Sequence, residues 1–227
     1  MSIRKSLLAC LVLGVPGTGA AAEGVAIIHS EPLYGYRVAR GVAAKPLTPD
    51  TPEIRFNAFG RDFKLELEPN ARLAAMQAGL DLAPGVGAYR GKVADRPGSW
   101  VRLVLTPAGP AGLVFDGETY FGIETGSDSA LANSASSAAV IFRLADVYVA
   151  PGALSCGAEP TDGATALTAL VAELTPLAAQ GATPNLNLGA VADFEFTTTF
   201  GAAAESALLT RFNNIDGIFS QQLGVQI

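Results

Sequence analysis

The stretch "EIRFNAFGRDFKLELEPN", Glu53 to Asn70, constrains the fold of this chain more than any other. Ile54, Phe56 and Ala58 alternate with polar residues, and Phe63, Leu65 and Leu67 alternate with Lys64, Glu66 and Glu68. A period of two puts each apolar set on one face of a β-strand, whereas a helix would scatter it around its circumference. Gly60 and its neighbours make the bend between the two runs. The pattern continues downstream. "SWVRLVLT" sets Val101, Leu103 and Leu105 against Trp100 and Arg102, and "AGLVFDGETYFGIE" is two runs joined at Asp116-Gly117, a hairpin dipeptide. "AAVIFRLADVYV" closes the series. Short strands separated by turn residues predict a mainly β domain, sandwich or barrel-like, over residues 23–149.

The rest of the chain is different in kind. Residues 150–189 are rich in Ala, Thr, Pro and Gly, and no Lys or Arg occurs between Arg143 and Arg211. That composition predicts a linker, with a short helix around "ALTALVAELTPLA". Over residues 190–227, Val191 to Phe196 read as a strand, and Leu208, Phe212, Ile215, Phe219 and Leu223 form one apolar stripe at helical spacing. "LGVQI" reads as the start of a second strand. Such a strand-helix-strand cannot bury its apolar faces alone, so the expectation is the beginning of an α/β domain in a fragment of a longer chain.

At the other end, "MSIRK" supplies a charged n-region, "SLLACLVLGV" an apolar h-region and "GTGAAAEG" small residues, with Ala20 and Ala22 in A-x-A placement. Residues 1–22 therefore read as a signal peptide cleaved after Ala22, which implies a secreted or periplasmic protein with no membrane attachment once it is removed. "LLAC" at Cys10 also resembles a lipoprotein box, but the apolar run before it is too short. The net charge of −6, with fifteen basic residues scattered along the chain, argues against a nucleic-acid partner.

Loss of the leader leaves Cys156 as the single cysteine, in "ALSCGAEPTDG". An odd cysteine in an exported chain implies an intermolecular bond or a free thiol with a task; a buried cysteine acting as a small hydrophobe is the rival reading. Pro151, Gly152, Gly157, Pro160 and Gly163 crowd the segment, which favours an exposed loop.

"RFNAFGRDFKLELEPN" followed by "YRGKVADRPGSWVRLVLTPAGPAGLVFDGETYFGIE" resembles the propeptide of adamalysin/reprolysin-type (metzincin) zinc metalloproteases. The last zone is similar to the start of that family's catalytic domain, at Asp193, Phe194, Phe200, Gly201, Asn214, Asp216, Gly217, Phe219, Leu223 and Gly224. The resemblance implies a secreted, bacterial zinc endopeptidase zymogen truncated before its zinc-binding helix. Its partners would be its own or downstream protease domain and the protein substrates of the full-length enzyme. It also implies a role for Cys156, since in such zymogens a propeptide C-G cysteine ligates the catalytic zinc. A thiolate is a better fourth ligand than water, and it excludes the water that zinc would activate.

The departures limit this expectation. The family's zinc signature is H-E-x-x-H-x-x-G-x-x-H, and the chain has one histidine, His29. No catalytic residue is therefore assigned, and this chain alone is expected neither to hold zinc nor to hydrolyse protein. His29 reads as a surface residue, Glu66 and Glu68 as a solvated strand face, and "GVGAYRG" as a turn, its glycine spacing being wrong for a phosphate loop. Two readings remain: the pro-region of a zinc endopeptidase, and a non-catalytic secreted β-domain that binds or inhibits a protein partner.

Overall fold

A computed structural model describes residues 25–33, 36–40, 52–125, 139–151, 186, 188–189 and 191–225. Eleven strands lie among them: β1 Val25–Ile27, β2 Glu31–Pro32, β3 Arg37–Arg40, β4 Pro52–Ala58, β5 Arg61–Pro69, β6 Gly87–Val93, β7 Trp100–Thr106, β8 Gly109–Phe115, β9 Tyr120–Glu124, β10 Val140–Arg143 and β11 Val147–Val149. The helices are α1 Ala74–Ala78, α2 Phe194–Phe200 and α3 Ala204–Gln222.

The predicted β character is present. Nine strands form one antiparallel sheet in the order β2-β10-β9-β8-β7-β6-β5-β4-β3, and β1 pairs with β11 as a separate ribbon. The alternation read from the sequence sets the faces: Ile54, Phe56, Ala58, Phe63, Leu65 and Leu67 are all buried on the inner face, together with Val101, Leu103, Val114, Phe121, Ile123 and Ile141.

The sheet is curled into a half-barrel. Between β5 and β9 lie three intervening strands, so a flat sheet would hold them about 19 Å apart. Instead the rings of Phe63 and Phe121 meet edge to face at 5.2 Å across the concave side, and Arg61 Nη1 reaches Asp116 Oδ2 at 2.7 Å. Close backbone approach permits the curl: a Cβ on Gly112, which has φ +142°, would fall on the Arg102 carbonyl.

The C-terminal zone departs from expectation. Residues Phe194–Phe200 are helical, not a strand. Asp193 stands at the N-cap, where its carboxylate accepts the Phe196 amide at 2.8 Å, and a helix satisfies its own backbone groups where a lone strand cannot. The α3 helix then runs to Gln222, Leu223 caps it, and Gly224 and Val225 are irregular, so no second strand begins among the described residues.

Nor is α3 without a partner. It lies on the outer face of the sheet, where Leu209 joins Leu73, Ala88 and Val104, with Met76 and Phe212 packed against them. Both faces of β7 are consequently covered, and Trp100 and Arg102 are buried along with Val101 and Leu103. The helix also lies on a face other than the predicted one. Leu208, Phe212, Ile215, Phe219 and Leu223 are only partly buried, while Leu209, Thr210, Asn213, Asp216 and Gly217 are buried.

Candidate functional site

The most elaborate side-chain arrangement among the described residues is a buried polar network between α3 and the outer sheet face. Arg102, on the central strand β7, has a side chain 5% exposed. A guanidinium so placed must be paired and hydrogen-bonded, because burial of an unpaired charge costs several kcal/mol or more. Asp216, fully buried, meets that need: Arg102 Nε donates to Asp216 Oδ2 at 2.9 Å. Arg102 Nη1 donates to the Val101 carbonyl at 3.0 Å and Nη2 to Ser220 Oγ at 3.1 Å. Burial pushes the Arg102 pKa below its ordinary value, and the Asp216 carboxylate opposes that shift.

The second Asp216 oxygen accepts from Arg72 Nη1 at 3.0 Å. Arg72 lies two residues beyond Asn70, whose side chain accepts the Arg72 amide at 3.3 Å and whose amide nitrogen donates to Asp216 Oδ2 at 3.0 Å and Asn213 Oδ1 at 2.9 Å. Asn213 in turn donates to the carbonyls of Tyr89 and Leu103, each at 3.0 Å. Those two residues face each other across β6 and β7, so the helix is registered against the sheet backbone as well as against its charges.

Gly217 sets the approach distance. A Cβ there would lie 2.6 Å from Arg102 Cγ and 2.7 Å from a Trp100 ring carbon, closer than atoms pack. Next to the network, Arg211 lies over the rings of Phe196 and Phe200 at 5.2 and 4.7 Å, tying α2 to α3.

A cleft of about 320 Å³ opens between the β1/β11 ribbon, the outer face of β8 and β9, and α3. Ile27, Leu113 and Val147 line it with Arg211 and Asn214, and the Asn214 Oδ1 is buried without a hydrogen-bond partner.

Several residues named from the sequence meet here. Asp193 caps α2, Asp216 and Gly217 belong to the network, and Asn214 lines the cleft. Phe194, by contrast, is 78% exposed. Cys10, Ala20, Ala22 and Cys156 lie outside the described residues. His29 is exposed, its ring 5.4 Å from that of Phe59. Asn70, Arg72, Arg102 and Asn213 were not singled out by sequence reasoning. The signal available was a charge on an otherwise apolar central strand, and an Asp-Gly in mid-helix.

The described residues hold no group of three or more His, Cys, Asp or Glu side chains placed to bind a metal. No helix among them is long and apolar enough to cross a membrane. Compared with known proteins, the chain matches no family model, no curated protein and no solved structure. Chemically, the network fixes a helix to the sheet by desolvated, paired charge.

Proposed function

We propose that this chain is the pro-region and first part of the protease domain of a secreted zinc metalloendopeptidase, and that the β half-barrel keeps the protease latent. One observation carries the reading. The two separate stretches that resemble the family, "RFNAFGRDFKLELEPN" and "NNIDGIF", are joined through Asn70, which donates to both Asn213 and Asp216. The β domain therefore grips the segment that resembles the start of the protease. The partly buried stripe of Leu208, Ile215 and Phe219 would, in this reading, pack against the sheet of the protease domain. In this reading Cys156 is the inhibitory ligand of a zinc held by a downstream domain, and zinc is the cofactor of the full-length protein only.

The test begins with the DNA beyond the codon for Ile227. An H-E-x-x-H helix encoded within roughly 150–200 residues supports the reading, and an immediate stop codon sinks it. In the extended protein, Cys156 should resist alkylation until a chelator strips the metal, and Cys156→Ser should give activity before any cleavage. Latency retained in that variant would remove Cys156 from the inhibition.

A second reading, a non-catalytic secreted β-domain that binds or inhibits another protein, is favoured by the way α3 is already seated on the sheet with Asp216 paired to Arg102 and Arg72. The same DNA sequence separates the two.

A further inference from the structure

We propose that the outer face of the sheet is a receptor for a helix of the Asn213-x-x-Asp216-Gly217 pattern supplied as a separate polypeptide, so that the segment carrying α2 and α3 stays bound after the chain is cut and exchanges with free copies of itself. The bonds that seat α3 run across the boundary between the two parts. Asp216 bonds to Arg72, Arg102 and Asn70, and Asn213 to Asn70, Tyr89 and Leu103. The centre is fully desolvated, and apolar contacts of Leu209 and Phe212 with Leu73, Val104 and Met76 lie beside it. That is the anatomy of a protein–protein interface with buried charged anchors.

Selectivity is built into the same residues. A helix without the aspartate would leave Arg102 and Arg72 unpaired, and one with a side chain at the glycine position would strike Trp100 and Arg102. The face thus rejects amphipathic helices in general. Covalent connection adds effective concentration and no contacts, so its removal weakens the association without abolishing it. The inference does not depend on the protease reading, since it concerns only the two parts of this chain.

The experiment uses the whole chain with a site-specific protease sequence inserted within residues 152–185. Trp100 is the single tryptophan and lies beneath Gly217, so its emission reports the helix directly. After cutting, the two fragments should co-elute at ~10 µM, a concentration that retains complexes with a Kd of ~1 µM or tighter, and the Trp100 emission should be unchanged. A fluorescent peptide of residues 186–227 should then exchange into the complex. The same peptide carrying Asp216→Ala should compete at least ~30-fold less well, as expected when one partner of a buried charge pair is truncated. Using the variant as a peptide leaves the β domain unaltered. Separation of the fragments on cutting, with a red shift of Trp100, would overturn the proposal. Equal competition by the variant peptide would overturn it as well.

Discussion

Arg102 and Asp216 are 114 positions apart in the chain and 2.9 Å apart in the fold, both withdrawn from water. Their pairing places a charged residue at the centre of the sheet's outer face and commits α3 to cover it.

Removal of one member should be much worse than removal of both. Arg102→Met leaves Asp216 with Arg72 and Asn70 but takes away its innermost partner, and should cost about 3–5 kcal/mol in urea unfolding. Asp216→Leu combined with Arg102→Met should recover part of that loss. A double variant as unstable as the sum of its singles would mean that the two residues are not energetically coupled.

Gly217→Ala tests the close approach. The added methyl group meets both Trp100 and Arg102, neither of which has room to move beneath the helix. Overpacking of this kind costs about 1–3 kcal/mol, and the Trp100 emission should shift to the red as α3 lifts. Unchanged emission and stability would place the helix further from the sheet than it is here.

Asp116 should govern part of the acid limb of stability. Burial raises its pKa, but the Thr119 and Glu118 amides and the Arg61 guanidinium outweigh that effect, so the carboxyl titrates below the usual aspartate range. With the folded-state pKa depressed, its stabilising contribution is complete above the unfolded pKa of about 3.9 and is lost as pH falls through the folded value. Asp116→Ala should therefore cost about 1–3 kcal/mol at neutral pH and flatten the decline between pH 4 and the acid transition. A variant whose stability falls with acid as steeply as the wild type would assign that limb to other carboxylates.

Phe59 occupies the first position of the two-residue turn between β4 and β5 with φ +52°, and Gly60 follows at +66°. Positive φ at both positions is the requirement of a type I′ turn, which a phenylalanine meets only under strain. Its ring lies 5.7 Å from that of Phe121 and under the Arg143 guanidinium, and its amide donates to Glu31 Oε2 at 2.7 Å. Phe59→Gly relieves the strain but forfeits the ring contacts, so a net loss of about 1–3 kcal/mol is expected in thermal or urea unfolding. A stabilised variant would show that the turn strain outweighs the packing.

The β portion was legible because its cause is local. Alternation in "EIRFNAFG" and "RDFKLELEPN" dictates which side of a strand each residue faces, and Ile54, Leu65 and Leu67 lie where that rule puts them. The turn at Phe59-Gly60 is likewise a matter of neighbouring residues. The hairpin at Asp116-Gly117 was placed correctly, although its turn is held by Asp116 accepting the Glu118 and Thr119 amides.

The C-terminal zone was not legible, for two physical reasons. "FEFTTTF" has β-favouring composition, but a strand needs a partner edge, whereas Asp193 supplies a helix with its cap at no distance. For α3, the apolar stripe of Leu208, Phe212, Ile215 and Phe219 identified a helix and yet mispredicted its buried face. Which face is buried depends on Arg102, Asn70 and Arg72, far away in sequence. Hydrophobic periodicity reports how much a helix gains from burial in general; only the tertiary structure brings a particular buried guanidinium to a particular carboxylate, and the cost of leaving that pair unmade outweighs the gain from a fuller apolar contact.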